Sequence, residues 1–429
     1  MRLPTTLQNN REGFLVYEVM IAFSLMTLFI ISTIALKATM QELHLFSIKR
    51  LENLKSAVSG LASSSQGLYG NDTKETKIGP LTILSSDYDN AWGRDSCKAR
   101  FPFGSDKIKL YFHGIDLGLG NLSTHVEARH GFVYLTADSA VGSASDFYII
   151  DARSPTSSQI ISSLDTGPGL SSLEVAGTYV YATNTGRTNQ LQVIDISNRS
   201  SPVIIAKLKL PLPNASSTAP AASTIFYHQG FVYLGTQKWE GNEFSVIDVS
   251  NPFAPQYVGG FETNTLVNDI YVRDGLAYLA TADEGQMRIL DVHNPSSIIQ
   301  LEYFSPSGWE TQEGKIISYF EGKFGLGRTT GGFNVVSNHE IFSFSSTSPL
   351  VIEMSYDLLG GIYGMVIRPE MFFLGTRLFG REFQVWKQDF SEKLFEFPLG
   401  FFPRGLSCDG TSFYFATGDS TGVAVLTLE

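Results

Sequence analysis

Four kinds of residue in this chain could do chemistry. Glu18 is the only charge within the apolar run Phe14–Leu36. A carboxylate there costs roughly 2.5–3.5 kcal/mol and calls for a cation. Cys97 and Cys408 are the only cysteines, too few for a disulfide framework and without metal-site spacing. Aspartates follow apolar pairs at Asp151, Asp195, Asp248 and Asp291. Repeated carboxylates suggest acid–base or metal chemistry, but an Asp opening a Ser- or Asn-rich turn accepts its own backbone N–H groups as an Asx-turn. The structural role is the expectation. His130, His228 and His293 lie at or beside predicted turns and are expected to face solvent. No His-Glu-x-x-His, Gly-x-Ser-x-Gly, P-loop or Cys-x-x-Cys occurs, so no local motif marks an enzyme. Neither a metal nor a cofactor is expected.

The 429 residues leave room for two or three average domains or one large all-β domain. Net charge is −11, with no basic block. Nucleic acid and an anionic lipid surface are therefore unsuitable as main partners. Few charges, many aromatics and 40 glycines fit short strands joined by tight turns.

Glu18 must be positioned by a helix. Phe14–Leu36, 23 residues, would reach roughly 34 Å and cross a bilayer. Arg2 and Arg11 keep residues 1–13 on the cytoplasmic side and send the remaining chain outward. Leu51, Leu54, Val58 and Leu61 extend the helix as an apolar stripe, and Gly67 and Gly70 end it. The expected helix is 14–66, followed by a join over 67–105.

The order Gly13, Phe14, Glu18, then an unbroken apolar run resembles the N-terminus of type IV pilins and pseudopilins. The resemblance covers about sixty residues and implies a fate for each. A prepilin peptidase would cut between Gly13 and Phe14, the new Phe14 amine would be N-methylated, and Glu18 would pair with a terminal amine during assembly with other pilin-like subunits. The plainer alternative is an uncleaved signal anchor.

Beyond residue 124 the chain repeats. Gly131, Gly177, Gly230, Gly275, Gly322 and Gly410, with Glu370 in the same role, stand 40 to 53 residues apart. Seven such units predict an all-β fold, a seven-bladed β-propeller of four-stranded antiparallel blades over 106–429. The triplets Ile149-Ile-Asp151, Val193-Ile-Asp195, Val246-Ile-Asp248 and Ile289-Leu-Asp291 resemble the LVIVD repeat of bacterial surface and secreted propellers. The likeness covers units one to four and fades in five to seven, where Ser337, Lys387 and Thr427 take the aspartate's place.

The last unit supplies three strands, so Lys107–Phe112 is expected to close the ring as its fourth. That would bring Cys97 and Cys408 into one blade, where a disulfide would pin the closure. Loops after the second strands fall on one face and are the candidate binding surface: Asp138, Asp146, Arg187, Lys238, Trp239 and Glu240. The expected whole is a pilin-like subunit (minor pilin or pseudopilin) that spans the cytoplasmic membrane once and displays a propeller outside for adhesion or for binding a surface glycan or protein. A tethered hydrolase or lyase with its site in the channel is the rival, and a non-polymerised surface scaffold the third reading.

Overall fold

The computed structural model describes residues 110–428 apart from 119–120, 140–143, 307–311, 321–322, 330–338, 346–349, 369–370, 411 and 420. It also describes the strands Glu75–Ile78, Leu81–Leu84 and Ser96–Cys97. The leader 1–13 and the helix 14–66, with Gly13, Phe14 and Glu18, lie outside the described residues. Among the described residues no helix is long and apolar enough to cross a membrane. The chain divides into two compact units, Met1–Ser85 and Ser86–Glu429. In the first, Glu75–Ile78 and Leu81–Leu84 pair as an antiparallel hairpin, within the stretch 67–105 expected to be a join.

The second unit is a seven-bladed propeller. Blades one to six span 121–164, 170–208, 222–261, 267–304, 314–356 and 362–397, each a four-stranded antiparallel sheet laid down in chain order from the inner strand outward. The sequence explains the gradient of burial. Middle strands such as Tyr179–Asn184 and Leu191–Asp195 are apolar on both faces and buried along most of their length, because neighbouring blades cover both sides. Outer strands such as Ile299–Phe304 alternate between exposed and half-buried positions.

Hydrophobic cores form between blades. One joins Tyr181, Leu191 and Val193 of blade two to Ile225, Val232 and Leu234 of blade three. Another joins blades six and seven through Phe373, Phe383, Phe413 and Phe415, with the Phe383 ring 4.9 Å from Phe413 and 5.3 Å from Phe415.

The inner hairpins turn where the glycines predict. His130-Gly131, Gln229-Gly230 and Asp274-Gly275 all hold positive φ at both positions. That is the I′ geometry, whose twist matches the flanking strands.

Blade seven closes the ring. Gly405–Gly410, Ser412–Ala416 and Val423–Leu428 are joined by Leu110–Ile115 as the outermost strand, with Phe112 opposite Leu426. Leu110–Phe112 of the expected closing strand is thus in place, and 107–109 lie outside the described residues. A fifth strand, Ser96–Cys97, pairs in parallel along the inner edge of Gly405–Gly410, with Cys97 opposite Gly410. Cys408 is buried and disulfide-bonded.

A correction concerns blade five. Its third strand is Ile341–Ser345, and Ser345 pairs with Lys323 where other blades place the aspartate. Ser337 is not the equivalent residue, because the connection after Lys323–Arg328 is longer than in blades two to four. Lys387 and Thr427 do hold the equivalent place in blades six and seven.

The Phe383 packing sets a test. Phe383→Ala leaves a cavity between two blades and should cost about 3–5 kcal/mol, read as a lower urea midpoint. A midpoint equal to wild type would contradict the inter-blade core.

Candidate functional site

The four repeated aspartates are turn residues. Each accepts the backbone N–H two residues on: Arg153 on Asp151 at 3.1 Å, Ser197 on Asp195 at 2.8 Å, Ser250 on Asp248 at 2.9 Å and His293 on Asp291 at 3.0 Å. They are the last residues of the third strands, at the end opposite the second-to-third-strand loops. His293 is exposed and its Nδ1 sits 2.8 Å from Asp291. His130 is exposed, whereas His228 is half-buried rather than solvent-facing, and burial lowers its pKa. No group of three or more His, Cys, Asp or Glu that could hold a metal occurs among the described residues.

The loop residues divide into two kinds. Asp138, Arg187, Lys238 and Glu240 are exposed, and Glu240 accepts a hydrogen bond from Ser217 at 2.7 Å. Trp239 is folded onto its own loop. Its Nε1 donates to the Asn242 carbonyl at 3.2 Å, and a Cβ at Gly241 would lie 2.5 Å from Trp239 Cζ2. Only a glycine there admits the ring. Asp146 is fully buried and holds the Thr166 N–H and hydroxyl, both at 2.8 Å, so its carboxylate faces no ligand.

Asp146 is one of a set. The residue before the third strand is Asp146, Gln190, Glu243, Gln286, Glu340 and Glu382 in blades one to six, and all are buried. Gln190 accepts the Leu210 N–H, Glu243 the Thr263 and Asn264 N–H groups, Glu340 the Leu358 N–H and Glu382 the Leu399 N–H. These side chains satisfy the backbone where the chain leaves each outer strand. The signal was present as an acid or amide directly before each third strand. Burial pushes the Asp146 carboxyl up to about 6. Burial, with Asp357 adding to it, pushes Glu340 up to about 7.

The site with unspent chemistry lies where the inner strands begin. The seven inner strands neighbour one another in chain order, and the last returns to the first. At one register they present Thr124, Ser171, Ser223, Asn268, Lys315, Tyr363 and Arg404. The first four donate to a carbonyl of the next blade: Thr124 to Leu170 at 2.6 Å, Ser171 to Ala222 at 2.8 Å, Ser223 to Val267 at 2.6 Å and Asn268 to Gly314 at 2.9 Å. Over blades five to seven the character changes. Lys315 Nζ donates to Asn268 Oδ1 at 3.0 Å and stands 5.5 Å from the centre of the Tyr363 ring. Arg377, from the loop after the second strand of blade six, lies over the same ring at 3.9 Å. Arg404 acts electrostatically on both Lys315 and Tyr363.

Burial lowers the Lys315 pKa first. Glu313 and Asp269 oppose the shift, and Arg377 and Arg404 add to it. Burial raises the Tyr363 pKa, and Arg377 works against that rise. A cation cluster around a phenol can hold an anion, and a lysine and tyrosine of shifted pKa could also move a proton. None of these residues carried a sequence motif. Aligning the units on their turn residue would have found Lys315, Tyr363 and Arg404, which stand six or seven positions before it.

A sequence model of the LVIVD repeat matches residues 170–208, 222–263 and 266–304, which are blades two, three and four. Blade one, with Asp151, lies outside the matched residues. No curated protein matches the chain. Among solved structures, the WD40 repeats of RRP9 superpose with a TM-score of 0.55 at 11% identity, covering 75% of this chain and 100% of that one. Virginiamycin B lyase from Staphylococcus aureus gives 0.54 at 12%, covering 75% and 100%. U3-55K gives 0.53 at 11%, covering 74% and 98%. At such identities the likeness is one of fold.

Glu340 provides a test with a defined sign. Its pKa is raised on folding, so between about pH 4.5 and 7 the unfolded chain releases the proton first and stability falls as pH rises. Glu340→Gln keeps an acceptor for Leu358 and removes the charge, as Gln190 and Gln286 do in their blades. At pH 8 the variant should be more stable than wild type by roughly 2 kcal/mol, and at pH 4.5 the two should coincide. Equal urea midpoints at both pH values would refute the buried charge. The chain is a seven-bladed β-propeller that carries LVIVD repeats in blades two to four.

Proposed function

We propose that this chain is a pilin-like subunit that displays a ligand-binding propeller outside the cytoplasm. The observation that carries the reading is the run Gly13, Phe14, Glu18 and an apolar stretch to Leu36, on a chain that also forms a closed propeller. A closed ring has no need of a membrane for its own stability, so the apolar stretch serves address and assembly. Prepilin peptidase would act between Gly13 and Phe14. Glu18 would then meet the terminal amine of its own or a neighbouring subunit, since a buried carboxylate requires a cation. The propeller would bind a surface glycan or protein at the mouth of its channel, where Lys315, Tyr363, Arg377 and Arg404 gather.

A tethered lyase or hydrolase is the second reading, favoured by the Lys315–Tyr363 pair. Prolonged incubation with a bound ligand distinguishes the two, because binding alone returns the ligand unaltered.

The assembly reading predicts that Glu18→Ala is made and inserted but absent from purified filaments. Filaments containing the variant at the wild-type level would remove its basis. Sequencing of the membrane-extracted protein should begin at Phe14, and a mature chain starting at Met1 would count against processing. An oxidising exterior also suits the disulfide at Cys408, for which Cys97 is the only other cysteine. The unfolded, unreduced protein should contain no free thiol. Cys97→Ser with Cys408→Ser should lower stability by roughly 2–4 kcal/mol, read as a lower urea midpoint.

A further inference from the structure

The mouth of the channel gathers three cations from consecutive blades. Several cations elsewhere in this acidic chain sit against carboxylates: Arg129 on Glu127, Arg288 on Asp283, Lys323 on Glu353, Lys387 on Glu392 and Lys393 on Glu396. Lys315, Arg377 and Arg404 make no ion pair among the described residues. Lys315 gives one donor to Asn268 and keeps two. Arg377 is exposed above the Tyr363 ring, and Arg404 is exposed beside it. Glu313 and Asp269 act on Lys315 through space without pairing with it, Glu313 accepting from Asn268 Nδ2 at 3.3 Å and Asp269 from the Ile317 N–H at 2.8 Å.

The rim beside these cations is apolar. Leu359 is 74% exposed, Phe379 83% and Phe402 43%. They belong to three loops that meet around blade six. Arg377 donates its N–H to the Gly361 carbonyl at 2.8 Å, and a Cβ at Gly360 would lie 2.8 Å from Leu378 Cβ. Pro403 packs 3.2 Å from the Cβ position of Gly375. Large apolar side chains so exposed next to unpaired cations mark a binding surface. Guanidinium groups recognise oxyanions in a plane, and aromatic faces take the C–H face of a sugar ring.

We infer that the channel mouth over blades five to seven binds an acidic saccharide, with Lys315, Arg377 and Arg404 on its oxyanion and Phe379 with Phe402 against its ring. This rests on the reading of the propeller as a binding head but not on assembly. The ring is a poor site for neutral sugars, because its remaining mouth residues, Thr124, Ser171, Ser223 and Asn268, spend their donors on neighbouring blades.

The test is calorimetric titration of the detergent-solubilised full chain, with Glu18→Ala run in parallel. The probes are glucuronate, glucose, sodium sulfate and a tetraglutamate peptide. Glucuronate should bind, and glucose should bind at least tenfold more weakly. Arg377→Gln and Phe379→Ala should each weaken glucuronate at least tenfold while leaving the thermal midpoint unchanged, since both side chains are exposed. Sulfate matching glucuronate, with Phe379→Ala silent, would reduce the site to an oxyanion site without a saccharide and overturn the proposal. Tetraglutamate binding more tightly than glucuronate would overturn it in favour of an acidic peptide, and no heat from any probe would overturn it outright. A Glu18→Ala chain that fails to assemble yet binds glucuronate supports the site independently of assembly.

Discussion

Among the described residues, blades one to six leave the inner edge of their sheet without a partner strand, and in blade seven Ser96–Cys97 covers only one end of it. The inner strand of each four-stranded sheet shows one row of backbone N–H and C=O groups to the channel, and a row left bare would be costly and open to association. The neighbouring blade answers with side chains. Glu127 takes the Val175 N–H at 2.7 Å, Asp269 takes that of Ile317 at 2.8 Å, Ser407 that of Ala128 at 3.0 Å and Asp409 that of Gly131 at 2.5 Å. Thr124, Ser171, Ser223 and Asn268 supply the complementary donors to carbonyls. Blades thus interlock by polar contacts near the axis and by apolar clusters further out. This polar belt fixes which inner side chains are occupied by the neighbouring blade.

That division explains the asymmetry of the mouth. Blades one to four use short side chains that reach the next backbone, and Asn268 also meets Lys315 and Glu313 of blade five. Lys315, Tyr363 and Arg404 occupy the same register with longer side chains, and Lys315 donates back to Asn268 of the belt. Arg377 reaches in from a loop of blade six. The half of the ring that matches the LVIVD repeat best is the half with the more uniform belt, and the divergent half carries the charge.

Much of the fold was legible in the sequence, because its signals are local and recur. The turn glycines, the apolar pair before each Asp and the three-strand remainder at the end predicted seven blades and a closing strand. The reading misplaced the third strand of blade five, where a longer connection separates it from its partner and Val335-Val336 imitated the expected pattern. The mouth was illegible as a motif. Lys315, Tyr363, Arg377 and Arg404 come from three consecutive blades and meet through the packing of their inner strands, so only an alignment of the repeat units, not a local motif, carries a trace of them. Asp146 was misjudged for a related reason. A polar residue in a long loop reads as solvent-facing, and the backbone it satisfies lies twenty residues on, at Thr166.

The pairing of Leu110–Ile115 with Val423–Leu428 also bears on time. Six blades can form from neighbouring segments as the chain emerges, but the seventh must wait for its last residues. Closing a loop of that length adds an entropic cost that grows only slowly with length, yet such long-range pairing is slow to find. Until it forms, the outer edge of Val423–Leu428 and the inner faces of blades one and seven stay open. The ring is therefore complete only once Val423–Leu428 has been made and has met Leu110–Ile115, and the closing blade is the point at which a folding helper or a stray strand would intervene.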